Sequence, residues 1–245
     1  GTLSYALKPD AFGVITVTVR LADNGGTVYG GIDTSAAQTF TITARAINDQ
    51  PTITIKGNVT LNEDNGAYTD NSYATNIGVG GSGYESGQSL SLFEITNNNN
   101  ALFSSQPTIN QVTGALTFTP VANANGTATV LIRMQDNGGT PTVDDDDYYE
   151  TSFVITVNAV NDAPLFNNAG NVTVLEDSGA YSNVGFSTGF AVGGGVDESA
   201  QTLVLTVTNN NNSLFSVQPT IDLVTGTLIF TSAPDANGAA IVTVT

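Results

Sequence analysis

Chemistry in this sequence rests on carboxylates. Twenty-two acidic side chains stand against five basic ones, Lys8, Arg20, Arg45, Lys56 and Arg133, which gives a formal net charge of −17 over 245 residues; there is no histidine and no cysteine. Without imidazole or thiolate, Ser-His-Asp and Cys-His catalysis, zinc sites built on His or Cys, histidine-ligated haem and iron–sulfur clusters lack their required groups. A paired-carboxylate reaction such as glycoside hydrolysis keeps its minimum chemistry, but any two acids in so acidic a chain meet that criterion. The charge also argues against nucleic acid and against anionic membrane surfaces, both of which are bound through basic patches.

The acids recur at a fixed spacing. Asn48-Asp49-Gln50-Pro51 returns as Asn161-Asp162-Ala163-Pro164, and Asp23-Asn24-Gly25-Gly26 returns as Asp136-Asn137-Gly138-Gly139. Gly57-Asn58-Val59-Thr60 returns as Gly170-Asn171-Val172-Thr173, and the asparagine quartet 97–100 returns at 209–212, each copy 112 or 113 residues from the other. Several unrelated words at one offset define an internal repeat. The period suits one β-sandwich per repeat rather than a solenoid coil. With the proline after each Asn-Asp pair as the junction, 51–163 is a complete repeat, 1–50 is the C-terminal part of a preceding one, and 164–245 is the N-terminal part of a following one. Such terminal pieces imply more chain on both sides or a partner that completes them.

The elements that must position the acids are strands. Leu116 and Phe118 alternate with threonines; Val130, Ile132 and Met134 alternate with Thr129, Leu131 and Arg133; Phe153, Ile155 and Val157 alternate with Val154 and Thr156. Period-2 alternation of this kind predicts half-buried antiparallel strands. Thr113-Gly114, Asn125-Gly126 and Asn137-Gly138-Gly139 supply turns between them. The expected fold is all-β, tandem antiparallel Greek-key β-sandwiches in a linear array with almost no helix. No apolar run approaches the roughly 20 residues of a membrane span.

These words carry a family resemblance. Thr113-Gly114-Ala115-Leu116, Asp136-Asn137-Gly138-Gly139-Thr140-Pro141, Phe153 to Val157 and Asn161-Asp162-Ala163-Pro164 together resemble the second half of a cadherin-like repeat. The chain is more similar still to the tandem bacterial cadherin-like or immunoglobulin-like repeats of large surface adhesins and extracellular fibre proteins, which end in Asn-Asp-x-Pro linkers. The resemblance implies an extracellular, non-enzymatic segment of an adhesin stalk or filament, stiffened by Ca²⁺ at its linkers. Its implied partners are neighbouring repeats or copies of the same protein, with surface glycans or other cells as further candidates. Ca²⁺ takes six to eight hard oxygens, and converging acids repel until a cation neutralises them. The resemblance carries this role to Asn48, Asp49, Asn161 and Asp162 in the linkers and to Asp23 and Asp136 before the Gly-rich turns. It extends to Glu63 and Glu176 after the first strand, and to Glu85 and the Asp197-Glu198 pair in a later loop. Ala46 and Ala159 stand where the cadherin linker begins with aspartate, and Gln50 and Ala163 replace its following asparagine, so one or two ions per linker are expected rather than three.

Each residue also has a purely structural reading. Asp49 and Asp162 suit turns that hydrogen-bond their own backbone before a proline, Asp23 and Asp136 suit hairpin turns, and Glu63, Glu85, Glu176 and Asp197 suit solvated surface acids. The run Asp144 to Asp147 reads as a solubilising loop or a peripheral cation site. Tyr68, Tyr73, Tyr84, Tyr148 and Tyr149 could stack on sugar rings or serve as strand aromatics. Asn58, Asn125, Asn171 and Asn211 open Asn-x-Ser/Thr sequons. A Lys–Asn crosslink cannot be a feature of every repeat, because 51–163 contains only Lys56 and 164–245 no lysine. Strand exchange between copies, or a carbohydrate-binding module, stands as the alternative to a calcium-stiffened stalk.

Overall fold

The computed structural model describes residues 1–81, 83–138 and 148–245; the Asp144 to Asp147 run lies outside them. Among the described residues there are eighteen strands and five short 3-10 segments, with no α-helix. The first stretch holds β1 (Gly13–Val19) and β2 (Gln38–Ala44), an antiparallel pair in register from Gly13 opposite Ala44 to Val19 opposite Gln38. The middle stretch holds β3 (Thr52–Ile55), β4 (Val59–Asn62), β5 (Tyr68–Asp70), β6 (Ala74–Gly78), β7 (Leu90–Asn97), β8 (Phe103–Ile109), β9 (Leu116–Pro120), β10 (Gly126–Asp136) and β11 (Tyr148–Asn158). The last holds β12 (Leu165–Asn168), β13 (Ala180–Asn183), β14 (Ser187–Ala191), β15 (Val207–Asn209), β16 (Phe215–Ile221), β17 (Leu228–Ser232) and β18 (Val242–Val244).

In the middle stretch one sheet runs β4-β11-β10-β7 and the other β5-β9-β8, with β3 paired to β6. The chain therefore leaves the first sheet after β7, forms a hairpin in the second, and returns for β10 and β11, which is the sheet switching of a Greek-key sandwich. Alternation places Ala128, Val130, Ile132 and Met134 of β10, Phe153, Ile155 and Val157 of β11, and Leu116 and Phe118 of β9 in the core, each at most 2% exposed. The Tyr73 ring packs on Phe153 at 4.9 Å, and Phe118 packs between Tyr68 and Phe103. Tyr73 thus fills core space while its hydroxyl donates to the Gly57 carbonyl, and burial raises its phenol pKa.

The last stretch repeats the plan. β12-β14 matches β3-β6, β13-β17-β16 matches β5-β9-β8, and β15-β18 matches β7-β10. Phe186, Ile221, Leu228 and Phe230 form its buried cluster, with Tyr181 and Phe215 against Phe230. By packing, the chain separates into two compact units. One comprises Gly1–Thr60, Ala67–Pro120 and Thr127–Thr156, and the other Leu61–Gly66, Val121–Gly126 and Val157–Thr245.

The repeated words have local causes. Gly114 has φ +71°, and a Cβ there would lie 1.8 Å from the Ala74 carbonyl oxygen; Gly226 meets the Ser187 carbonyl in the same way. The bonds that bring them so close are Ala74 N–H to Gly114 O and Ser187 N–H to Gly226 O. Only glycine fits both demands. In the asparagine quartet, Asn98 Oδ1 accepts the Thr129 N–H (2.8 Å) and Asn97 Oδ1 accepts the Asn99 N–H (2.9 Å). Asn210 and Asn209 repeat both bonds in the second copy. These amides stand in for a strand's missing backbone partners.

Deleting the Phe118 ring should cost about 3–5 kcal/mol as Phe118→Ala, whereas Val112→Ser at an exposed turn should stay within about 0.5 kcal/mol. Urea unfolding of the two variants checks the placement of the core.

Candidate functional site

Two sites assemble around the Asn-Asp linkers, each from residues of a single unit. The first begins at Gly83–Gly87, a 3-10 turn that buries Glu85 at 2% exposure. Glu85 Oε1 accepts the backbone N–H of Asp49 at 2.6 Å. Asn48, also buried, donates its amide to both Asp136 oxygens (3.1 and 3.2 Å) and accepts from Gln88 (2.9 Å). Asp136, 1% exposed at the end of β10, accepts the Gly138 N–H as well. It combines the hairpin-turn role with a clasp on the linker.

The second site repeats the first. Val196–Glu198 is a 3-10 turn that buries Glu198 at 1% exposure, and Glu198 Oε1 accepts the backbone N–H of Asp162. Asn161 accepts from Gln201 at 2.9 Å, as Asn48 does from Gln88. Glu63, buried just after β4, accepts the Val160 N–H through Oε1 (2.6 Å) and the Asn125 amide through Oε2 (3.3 Å). The same Asn125 amide donates to Asp197 at 2.8 Å. Asp64, with φ +61°, accepts the Asn123 N–H, and Asp177 holds the Asp235 N–H in the equivalent turn.

In both copies the second oxygen of the buried glutamate is left without a partner. Glu85 Oε2, Glu198 Oε2 and Asp162 Oδ2 are buried and make no hydrogen bond. They converge on glycines. A Cβ on Gly81 (φ +46°) would lie 2.3 Å from Glu85 Oε2 and 2.6 Å from Asp49 Oδ2, and one on Gly194 (φ +48°) would lie 2.5 Å from Glu198 Oε2 and 2.8 Å from Asp162 Oδ2. Glycine is thus required twice over, by backbone conformation and by the carboxylates beside it. Burial, reinforced by Asp49, Asp136 and Asp10, raises the Glu85 pKa above the ordinary carboxylate value. Burial together with Asp64, Glu198, Glu63 and Asp197 does the same for Asp162. Among the described residues no group of three or more carboxylates forms a ready metal cluster. What is preformed at each linker is a buried glutamate oxygen without a partner beside the linker aspartate's carboxylate, and hard oxygen donors of that kind suit Ca²⁺.

The remaining candidates fall elsewhere. Asp23 is exposed and its Oδ1 accepts the Gly25 N–H of its own turn at 2.8 Å. Glu176 is exposed. Asp197 is also exposed, and the buried position belongs to its neighbour Glu198, the residue 113 positions after Glu85. Gln88, Gln201 and Gly81 and Gly194 were not singled out from sequence, although the shared offset marks all four. Asp222, by contrast, has a lowered pKa because Thr225 and Val224 donate to it within a turn, which is a structural role.

No protein-family model matches the chain, and no curated protein matches it. A solved structure similar to it is the crystal structure of the human desmocollin-1 ectodomain, at 14% identity and a TM-score of 0.30. The likeness covers 94% of this chain, and the chain spans 43% of that ectodomain. A superposition this loose leaves the class to be defined by the strands themselves: an all-β, antiparallel sandwich protein with repeated carboxylate sites at its linkers. No helix among the described residues is long and apolar enough to cross a membrane.

The raised carboxyls make a signed prediction. The folded chain holds their protons more tightly than the unfolded chain, so in cation-free solution their contribution is most stabilising below the ordinary carboxylate range and is lost as pH rises through the raised values. Melting Glu85→Gln and the parent in chelator from about pH 4 to 8 should show the variant gaining on the parent as pH rises. Parallel profiles would contradict the assignment.

Proposed function

We propose that this chain is a structural segment of a long extracellular protein, an adhesin stalk or filament built from tandem β-sandwich repeats of which 51–163 is one, and that Ca²⁺ at the Asn-Asp-x-Pro linkers stiffens it. One observation carries the reading: at both linkers a buried glutamate gives one oxygen to the N–H of the linker aspartate and keeps the other without a partner, close to that aspartate's carboxylate. A buried polar atom left unpaired costs about 1–3 kcal/mol, and more when charged, so a chain that repeats this arrangement gains from a ligand that satisfies it. Asp49 with Glu85, and Asp162 with Glu198, would hold the ion. Glu63, Asp64 and Asp197 add negative charge at the second site, and Asn48, Asn161 and Asp136 position the linkers. When bound, the ion supplies charge neutralisation and crosslinks the linker to the loop of the following repeat.

The role is mechanical rather than catalytic. Tandem copies supply length and avidity, with neighbouring repeats, other copies of the protein, surface glycans or other cells as partners. A second reading has its own observation. Val17, Val19, Leu21, Phe40 and Ile42 in and around β1 and β2 occupy the positions of Val130, Ile132, Met134, Phe153 and Ile155, which are buried in the middle repeat. Here Val19, Leu21 and Phe40 are 50%, 77% and 41% exposed. Either further chain of the same protein or strand addition from another copy would cover that face, and the second would give a filament.

Saturating calcium should raise Tm by about 5–10 °C and magnesium by much less, since about 100-fold excess over Kd contributes about 2.7 kcal/mol. The double variant Glu85→Gln, Glu198→Gln should lose the response. An unchanged Tm and unchanged small-angle scattering with calcium would discard the stiffening role. Concentration-dependent polymerisation in chelator would favour strand exchange.

A further inference from the structure

The two linker sites share a plan and differ in its surroundings. Shifted by 113 residues, Phe12 and Tyr84 of the first site stand where the second has Asn125 and Asp197. The Phe12 and Tyr84 rings meet edge to face at 5.2 Å, whereas Asn125 and Asp197 are joined by a hydrogen bond of 2.8 Å. Lys8 and Arg45 of the first site become Val121 and Asn158 at the second. Both basic side chains line a cleft of about 290 Å³ together with Asp10, Asp49, Glu85 and the aromatic pair. Acids surround both sites: Asp64, Glu198, Glu63 and Asp197 act on Asp162, as Asp49, Asp136 and Asp10 act on Glu85; the difference lies in the four counterparts of Lys8, Phe12, Arg45 and Tyr84, which include no basic or aromatic residue.

From this exchange of surroundings we infer, resting on the calcium reading, that the linkers are unequal cation sites. The Asp162–Glu198 site is the high-affinity, cation-dependent one. The Asp49–Glu85 site is held together largely without an ion. The physical reason is twofold. Affinity for a divalent cation rises with the uncompensated negative charge around the site, and Lys8 and Arg45 offset that charge at the first linker only. The aromatic pair adds an apolar contact that needs no neutralisation, while the amide–carboxylate bond that replaces it adds another acid. A chain built this way has one constitutive linker and one whose rigidity follows the calcium concentration.

Calorimetric titration of calcium into the whole chain tests this. The parent should bind in two steps separated by about tenfold or more. Glu198→Gln should remove the tight step and Glu85→Gln the weak one. The substitution Arg45→Asn at an exposed position should tighten the weak step severalfold, and the exchange K8V/F12N/R45N/Y84D should bring the two steps together. Two equal steps, loss of the tight step in Glu85→Gln, or a weak step unmoved by Arg45→Asn would overturn the inequality while leaving calcium binding intact. No binding heat at millimolar calcium, with circular dichroism confirming a folded chain, would overturn the calcium reading itself and this inference with it.

Discussion

The arrangement on which both linkers depend is a buried glutamate that spends one oxygen on the backbone N–H of the linker aspartate and has no protein donor for the other. Each half of that bond has a cause. The 3-10 turn that carries the glutamate follows a glycine pair whose positive φ brings the backbone against the carboxylates, and the linker aspartate is held in reach by an Asn–Gln bond beside it. The cost of burying a half-satisfied charge is offset by apolar packing elsewhere, chiefly on the buried faces of strands β9, β10 and β11. Packing and unsatisfied charge therefore occupy different parts of the repeat: the sheets hold the apolar core, and the half-satisfied acids sit at the linkers.

The carboxylates divide by lone pairs rather than by residue type. Asp222, Asp23 and Asp64 accept N–H groups in turns, and Asp136 is engaged on both oxygens. Glu85, Asp162 and Glu198 keep an oxygen that is buried and unused. A uniform acidic coat would be a matter of solubility. The separation into satisfied and unsatisfied acids is what singles out Glu85, Asp162 and Glu198 as candidates among the charges of this chain. Side-chain amides take a parallel structural role, since the asparagine quartets close loops that backbone hydrogen bonds leave open.

Much of this was legible in the residues. Alternation in 116–118, 130–134 and 153–157 located three buried strands because one face of each must meet the core, and period 2 is the direct imprint of that demand. The shared offset exposed the linkers, and the Asn48-Asp49 and Asn161-Asp162 pairs were found because their spacing is visible without coordinates. The choice between neighbours was not. Asp197 and Glu198 are adjacent acids, and only the turn Val196–Glu198 decides that the second is buried and the first exposed. Asp136 takes the amide of Asn48, 88 residues away in the chain, a partner its own four-residue word does not show.

The sequence alone determined the class of chemistry, because composition limits it to oxygen donors, and the period and strand pattern, because these are local and repeated. Tertiary structure decided which oxygens remain without a partner and which basic or aromatic side chains stand beside them. Those properties depend on groups that are distant in the chain, Asp49 with Glu85 and Glu63 with Val160, and desolvation acts on a carboxylate only once folding has brought such groups around it.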